Sequence, residues 1–249
     1  MQDRGLAAYI AELVGTFFLV LVICMVYVLF QATGGQAQFG SDFAVIGLAC
    51  AFGLFILIQT LAGVSGAHLN PAVTFAATML KRIDPVDAIV YVLAQLSGAV
   101  LAALMVKGLL LDEGQASAYG ALNVSPLLSG DFAGAVCEAL GTFMLVLAVV
   151  AVALNPRAWR EWGALSIGLA FGVGTFIFGP LTGAGFNPAR WFGPALIGEE
   201  WGGVWPYLVG PLVGALLAAL FYKFVIESGE VLKDADGDAV AVVEKTPGT

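Results

Sequence analysis

Charged residues are scarce in this sequence, and their scarcity excludes an ordinary soluble domain. Only 11% of the 249 residues are charged, whereas 60% are hydrophobic. A soluble chain of this length needs far more charge on its surface, so the composition indicates a lipid bilayer as the solvent. The net charge of −8 is local, since many acids lie at loop ends and in a C-terminal stretch that begins at Glu227. No basic footprint is present, which excludes nucleic acid as a partner.

Residues that carry enzymatic or metal chemistry are also few. The three cysteines, Cys24, Cys50 and Cys137, all lie inside apolar runs, so neither a disulfide framework nor a CxxC metal spacing is present. There is one histidine, with no serine elbow, metal cluster or phosphate loop. The sequence therefore predicts no enzyme, no cofactor and no metal site.

Six apolar runs are each long enough to cross a membrane, which requires about 20 residues at about 1.5 Å per residue. They cover approximately 6–30, 43–63, 86–110, 131–154, 162–180 and 204–226. The first run is longer than a signal-peptide core and lacks a convincing cleavage site, so we retain it as a span. These runs predict a single membrane domain over 1–226, followed by a disordered acidic tail over 227–249.

Most basic residues fall on one side of a six-span arrangement. They are Arg4, Lys81, Arg82, Arg157, Arg160, Lys223, Lys233 and Lys245. Only Lys107 and Arg190 fall elsewhere. The excess of positive charge on cytoplasmic loops therefore places both termini in the cytoplasm.

The chain contains an internal repeat. Glu12-Leu-Val-Gly-Thr-Phe17 recurs as Glu138-Ala-Leu-Gly-Thr-Phe143, Ser65-Gly-Ala-His-Leu-Asn-Pro-Ala72 as Thr182-Gly-Ala-Gly-Phe-Asn-Pro-Ala189, and Gly98-Ala-Val-Leu-Ala-Ala-Leu104 as Gly214-Ala-Leu-Leu-Ala-Ala-Leu220. Each half, about 6–110 and 131–226, holds three spans, so the second half must be inverted relative to the first. An inverted repeat with broken segments predicts a site near the midplane. Six glycines inside spans are expected to mark close helix crossings, namely Gly47, Gly98, Gly168, Gly172, Gly210 and Gly214.

Two shorter apolar stretches open with Asn-Pro and are too short to span. They cover about 70–80 and 188–197. Proline suits the first turn of a helix, and the preceding Asn70 or Asn187 can cap exposed backbone N–H groups. Inversion makes the two half-helices meet N-terminus to N-terminus, with their positive dipole ends converging. Each Asn amide can still donate to a passing oxygen.

These motifs resemble the major intrinsic protein family, the aquaporins and glycerol facilitators, from Tyr9 to about Tyr222. The signature consists of two Asn-Pro-Ala boxes with an arginine after the second, formed by Asn70, Pro71, Ala72, Asn187, Pro188, Ala189 and Arg190. The resemblance implies an all-α membrane protein with six transmembrane helices and two half-helices in an inverted repeat, assembled as a homotetramer with a pore in each subunit. It also implies a passive channel for water and small neutral solutes, glycerol and hydrogen peroxide among them, that excludes protons and ions.

In this family the arginine lines an outer constriction, which assigns that role to Arg190. The spacing of the family places Cys50, Thr175 and Ala184 opposite it, while Cys24 and Cys137 are assigned to packing. None of the three is a bulky aromatic, so the constriction is expected to be comparatively wide and modestly polar. The residues around Arg190 do not decide between the water-channel and glycerol-facilitator branches.

Glu12 and Glu138 lie inside spans at equivalent places, and two interpretations remain. They could relay protons in a coupled transporter, or they could accept hydrogen bonds from the backbone of the half-helix loops, which the resemblance supports. His68 is assigned to loop bracing beside Asn70, with a pH-sensitive switch as the alternative. A structural junction protein is a further alternative, although it would not need Arg190.

Overall fold

The computed structural model describes residues 5–32, 42–155 and 160–227. This part of the chain contains nine α-helices and no strand. They are α1 (Gly5–Ala32), α2 (Asp42–Ser65), α3 (Pro71–Met79), α4 (Pro85–Leu109), α5 (Leu111–Gln115), α6 (Asp131–Val149), α7 (Gly163–Thr182), α8 (Pro188–Gly198) and α9 (Val204–Phe221). Single 3₁₀ turns occur at Ala118–Gly120 and Arg160–Trp162, and π-helical turns extend α6 over Val150–Leu154 and α9 over Tyr222–Glu227.

The predicted all-α fold, with six spans and two half-helices, is confirmed. Six helices are long and apolar enough to cross a membrane, namely α1, α2, α4, α6, α7 and α9. The half-helices α3 and α8 have only 9 and 11 residues. Large apolar side chains such as Leu93 and Leu217 remain exposed on the outside of the bundle, where lipid would cover them. The predicted tail lies outside the described residues from position 228 onward, as do Arg4 and Arg157.

The two halves repeat one close helix crossing. In the first half a Cβ atom at Gly98 of α4 would collide with the Leu13 carbonyl oxygen of α1. In the second half a Cβ atom at Gly214 of α9 would collide with the Ala139 carbonyl oxygen of α6. Small residues allow helix backbones to approach closely in a membrane, where lipid removes the usual hydrophobic drive for association. Both glycines were expected at crossings, and that expectation is confirmed.

The halves meet along α2 and α7. A Cβ atom at Gly47 would lie 2.8 Å from the Gly172 carbonyl oxygen, and one at Gly172 would lie 2.6 Å from the Gly47 carbonyl oxygen. This contact joins equivalent helices of the two halves.

An ion pair lies at one end of the bundle. Arg82, in the turn between α3 and α4, lies 2.9 Å from Glu227 at the end of the last helix. Ala8, near the start of α1, shares an apolar cluster with Ile83 at this end. We call it the Arg82 end, and we call the opposite end, which contains Tyr27, Gly120 and Arg190, the Arg190 end.

Candidate functional site

The N-termini of α3 and α8 meet inside the bundle. The Asn70 Nδ2 donates to the Phe186 carbonyl at 2.9 Å, and the Asn187 Nδ2 donates to the Leu69 carbonyl at 2.9 Å. Each amide therefore reaches into the loop of the other half. Because both half-helices point their N-termini at this place, the positive ends of both dipoles converge here.

Each Asn also caps its own half-helix. The Asn70 Oδ1 accepts from the Ala72 backbone N–H at 2.8 Å, and the Asn187 Oδ1 accepts from the Ala189 N–H at 3.0 Å. Pro71 and Pro188 occupy the first position of their half-helices. An N–H at that position has no partner within the helix, so its absence in proline costs no hydrogen bond. An amide NH₂ has two hydrogens, and the bonds to Phe186 and Leu69 use one on each Asn. The second hydrogen can donate to an oxygen in the path.

Glu12 holds the loop before α3. Its fully buried carboxylate accepts from the Ser65 hydroxyl at 2.6 Å, from the His68 N–H at 2.9 Å and from the Leu69 N–H at 2.7 Å. Tyr91 adds a bond from its hydroxyl to the Ser65 carbonyl at 2.8 Å. These bonds hold Leu69 at φ 50°, a left-handed conformation that is costly for a residue with a side chain.

Glu138 holds the loop before α8 in the same way. It accepts from the Thr182 hydroxyl at 2.6 Å, from the Gly185 N–H at 2.9 Å and from the Phe186 N–H at 2.6 Å. Tyr207 donates to the Thr182 carbonyl at 2.7 Å. The inverted repeat therefore extends to individual hydrogen bonds.

Gln95 breaks this symmetry. Its Nε2 donates to the Glu12 carboxylate at 2.8 Å and to the Thr74 hydroxyl at 3.0 Å. The corresponding position of the second half, counted from the Gly98 and Gly214 match, is Pro211. The sequence analysis missed Gln95, although an uncharged polar residue inside an apolar span was a usable signal.

His68 lies beside the same loop. Its Nδ1 is 3.1 Å from the Thr74 hydroxyl oxygen, and its ring stands edge-on to Tyr91 at 5.3 Å between centroids. These contacts, together with the bond from its N–H to Glu12, suit a bracing role.

Arg190 lies in the first turn of α8 and is fully buried. Its Nη1 donates to the Gly120 carbonyl at 2.6 Å, and its guanidinium carbon lies 5.5 Å from the centre of the Tyr27 ring. Its Nε and Nη2 have no hydrogen-bond partner among the described residues. Buried donors without a partner are rare, so these two can serve an oxygen that enters the site. The roles of Gly120 and Tyr27 were missed by the sequence analysis.

The three predicted constriction partners are also buried. Cys50, Thr175 and Ala184 are each at most 2% exposed. The Cys50 thiol approaches the Thr175 hydroxyl closely enough to interact, and Cys50 belongs to the same apolar cluster as Ala184. The Thr175 hydroxyl donates to the Phe171 carbonyl at 2.9 Å, so its oxygen can serve a further partner only as an acceptor. Tyr27 packs against the cluster that contains Cys50 and Ala184, which connects these residues with Arg190.

Cys24 lies closer to Arg190 than its assigned packing role suggested. A Cβ atom at Gly120 would be 3.0 Å from the Cys24 sulfur, so Cys24 supports the backbone whose carbonyl binds Arg190. It is fully buried, whereas Cys137 is partly exposed.

Comparison with known proteins shows the family to which the chain belongs. The family model described as major intrinsic protein matches residues 2–222. A probable aquaporin TIP3-2 of Arabidopsis thaliana is 41% identical over 184 residues, which cover 73% of this chain and 67% of that protein. A probable aquaporin TIP2-2 of Oryza sativa subsp. japonica is 34% identical over 230 residues, which cover 91% of this chain and 90% of that protein.

A solved structure has the same fold. The X-ray structure of the aquaglyceroporin from Plasmodium falciparum matches with a TM-score of 0.75 and 25% identity, covering 88% of this chain and 96% of that chain. The family model and both relatives match most of the chain. The chain belongs to the major intrinsic protein family.

Proposed function

We propose that this protein is a passive channel for water and small neutral solutes, and that the path passes Asn70, Asn187 and Arg190. The observation that carries the proposal is the meeting of the two half-helix N-termini, where each Asn keeps one hydrogen to donate. A water molecule that passes this point loses hydrogen bonds to other waters, and its oxygen can accept hydrogen bonds from the Asn amides instead. The relatives are an aquaporin and an aquaglyceroporin, and this similarity supports such a cargo.

The same site opposes cations. Two helix dipoles present their positive ends at the Asn pair, and Arg190 adds a permanent charge nearer the Arg190 end. A proton or sodium ion would meet positive potential where it loses hydration, at a cost of several kcal/mol. Neutral solutes escape this cost, so we propose that the channel passes them and excludes ions and protons.

Four residues of the proposed constriction determine which solutes pass, namely Cys50, Thr175, Ala184 and Arg190. The first three side chains are small, so we expect the constriction to admit solutes larger than water beside the guanidinium. Arg190 supplies donors through its Nε and Nη2, while Thr175 supplies an acceptor. This pairing suits hydroxyl compounds, which both donate and accept, and we propose glycerol and hydrogen peroxide as further solutes.

Proton-coupled transport is the alternative that Glu12 and Glu138 suggested. Both carboxylates are occupied by hydroxyl and backbone donors of the half-helix loops. A coupling carboxylate must exchange its proton with the path during each cycle, and here that exchange would release the loops. These contacts support a bracing role for both.

We propose that the channel domain covers 1–226, that both termini are cytoplasmic and that four copies assemble. Lys81 and Arg82 lie in the turn at the Arg82 end, and Lys223 lies near the Glu227 partner of Arg82. This charge supports a cytoplasmic Arg82 end. Cross-linking in membranes and protease access to each terminus test the assembly and the orientation.

Proteoliposomes test channel against transporter. Stopped-flow light scattering would measure water, glycerol and peroxide entry with and without an imposed pH gradient. A passive channel gives the same solute entry in both conditions. Solute uptake that follows the pH gradient would favour the transporter instead.

A further inference from the structure

We infer that Tyr27 is a fifth residue of the constriction and sets the upper size of the solutes that pass. The inference rests on the proposed function, since it assigns a specificity-determining residue to the same path. The four residues predicted from spacing include no aromatic. The structure supplies one from α1, a helix that contributes none of the four.

Tyr27 bridges two walls of the constriction. Its ring centre lies 5.5 Å from the Arg190 guanidinium carbon, a distance typical of a cation–π contact. Its hydroxyl donates to the Gly183 carbonyl at 2.9 Å. Gly183 directly precedes Ala184, so the phenol extends from the arginine to the loop that carries Ala184.

Further contacts fix the ring on a third side. Tyr27 stands edge-on to Phe43 of α2, with 6.3 Å between ring centres. It also packs against the apolar cluster that contains Cys50. The hydroxyl is hydrogen-bonded to Gly183 and the ring edge packs against Phe43. A change of rotamer at Tyr27 would therefore break several contacts. A large rigid group therefore stands beside the cluster that contains the small residues Cys50 and Ala184.

The groups around the constriction differ in what they offer a solute. Arg190 has two donors without a partner among the described residues. Tyr27 presents its aromatic ring, because its hydroxyl already donates to the Gly183 carbonyl. Water and hydrogen peroxide are small enough to pass the ring while they accept hydrogen bonds from Arg190. Glycerol must press its carbon chain against the ring, so the ring selects by width rather than by charge.

The test compares the ratio of glycerol to water permeability in proteoliposomes of the full chain. Tyr27→Ala should raise this ratio by about tenfold, which equals about 1.4 kcal/mol of barrier. Tyr27→Phe keeps the ring and should give a ratio much nearer to that of the parent than to that of Tyr27→Ala. Tyr27→Trp should lower the ratio, and it keeps the test decisive if the alanine variant fails to insert. Phe18→Ala, on the same helix but 47% exposed on the outside of the bundle, serves as the matched control and should leave the ratio unchanged.

The outcomes separate the two proposals. If Tyr27→Ala and Tyr27→Trp both conduct water with the parental ratio, Tyr27 does not set the size limit, and the inference is overturned while the channel stands. If the parent conducts no water, the proposed function fails first. A ratio that rises with Ala and falls with Trp supports the inference, because a purely structural role would change total flux and leave the ratio in place.

Discussion

Arg190 combines a permanent charge with two donors that have no partner in the described part of the chain, and the two properties can be separated by substitution. Arg190→Ala removes both, and we expect proton conductance to rise about tenfold because the Arg190 contribution to the positive potential is lost while that of the helix dipoles remains. Water permeability should change little, since the path widens. A pH-sensitive dye inside proteoliposomes measures the leak, and stopped-flow scattering measures water.

Arg190→Lys is the matched control for this prediction. Lysine keeps the charge but loses the planar fork that binds Gly120. The proton conductance of this variant should remain close to that of the parent. A leak of equal size in both variants would contradict an electrostatic role for Arg190.

Glu12 and Glu138 are expected to act as acceptors rather than proton carriers. Glu→Gln keeps an oxygen that can accept, so it should be milder than Glu→Ala at both positions. Alanine leaves the buried N–H groups of the loop unpaired, at about 1–3 kcal/mol each. Thermal unfolding in detergent measures the loss of stability, and water flux measures the loss of the path. A glutamine variant that keeps its stability but loses pH-driven uptake would instead identify a transporter.

Cys50 is expected to be the site of inhibition by mercuric ion. It lies beside Thr175 in the proposed constriction, where a bound metal would obstruct the path. Cys50→Ser should abolish the block, whereas Cys24→Ser should retain it because Cys24 lies behind Gly120. Water flux before and after mercuric chloride measures the effect. Persistent block in Cys50→Ser would show that the spacing had misplaced this residue.

Residues that occur twice were easier to predict than residues that occur once. Glu12 and Glu138 repeat with their neighbours, so a shared role could be inferred before any coordinates. Gln95 and Tyr27 have no counterpart in the repeat, and Gly120 offers only a carbonyl. Contacts made by single residues depend on how helices far apart in sequence are packed, which a repeat does not reveal.

The crossings of α1 with α4 and of α6 with α9 depend on glycine. Gly98→Ala places a Cβ against the Leu13 backbone, which cannot move aside as a side chain could. We expect a loss of about 1–3 kcal/mol in stability, as for other overpacked sites. Gly108→Ala in the same helix is the control, because no atom of the described residues lies within 4 Å of its added Cβ. Equal melting temperatures for the two variants would contradict a close crossing at Gly98.

Helices and half-helices followed from hydrophobic run length and from the Asn-Pro signals. α3 begins at Pro71 and α8 at Pro188, where the sequence placed them, because the Asn caps and the proline both define a start. The ends were less predictable. π-helical turns occur over Val150–Leu154 and Tyr222–Glu227, at the ends of α6 and α9. No residue type in these segments predicts them.

The whole molecule is two inverted halves that share one path. The repeat predicted the meeting of the half-helices, because an odd number of spans in each half forces the inversion. It could not predict the size limit of the path, since that limit depends on where Tyr27 of α1 stands relative to α8. The architecture therefore follows from symmetry, and the selectivity follows from departures from it.

The most direct test of a water channel that excludes protons is to measure both fluxes on the same proteoliposomes. We predict that vesicles containing the protein shrink in hyperosmotic buffer much faster than empty vesicles, with a low activation energy. Under a potassium diffusion potential, the same vesicles should show no more proton entry than empty ones. Proton or sodium currents that scale with the amount of protein would contradict the proposed function.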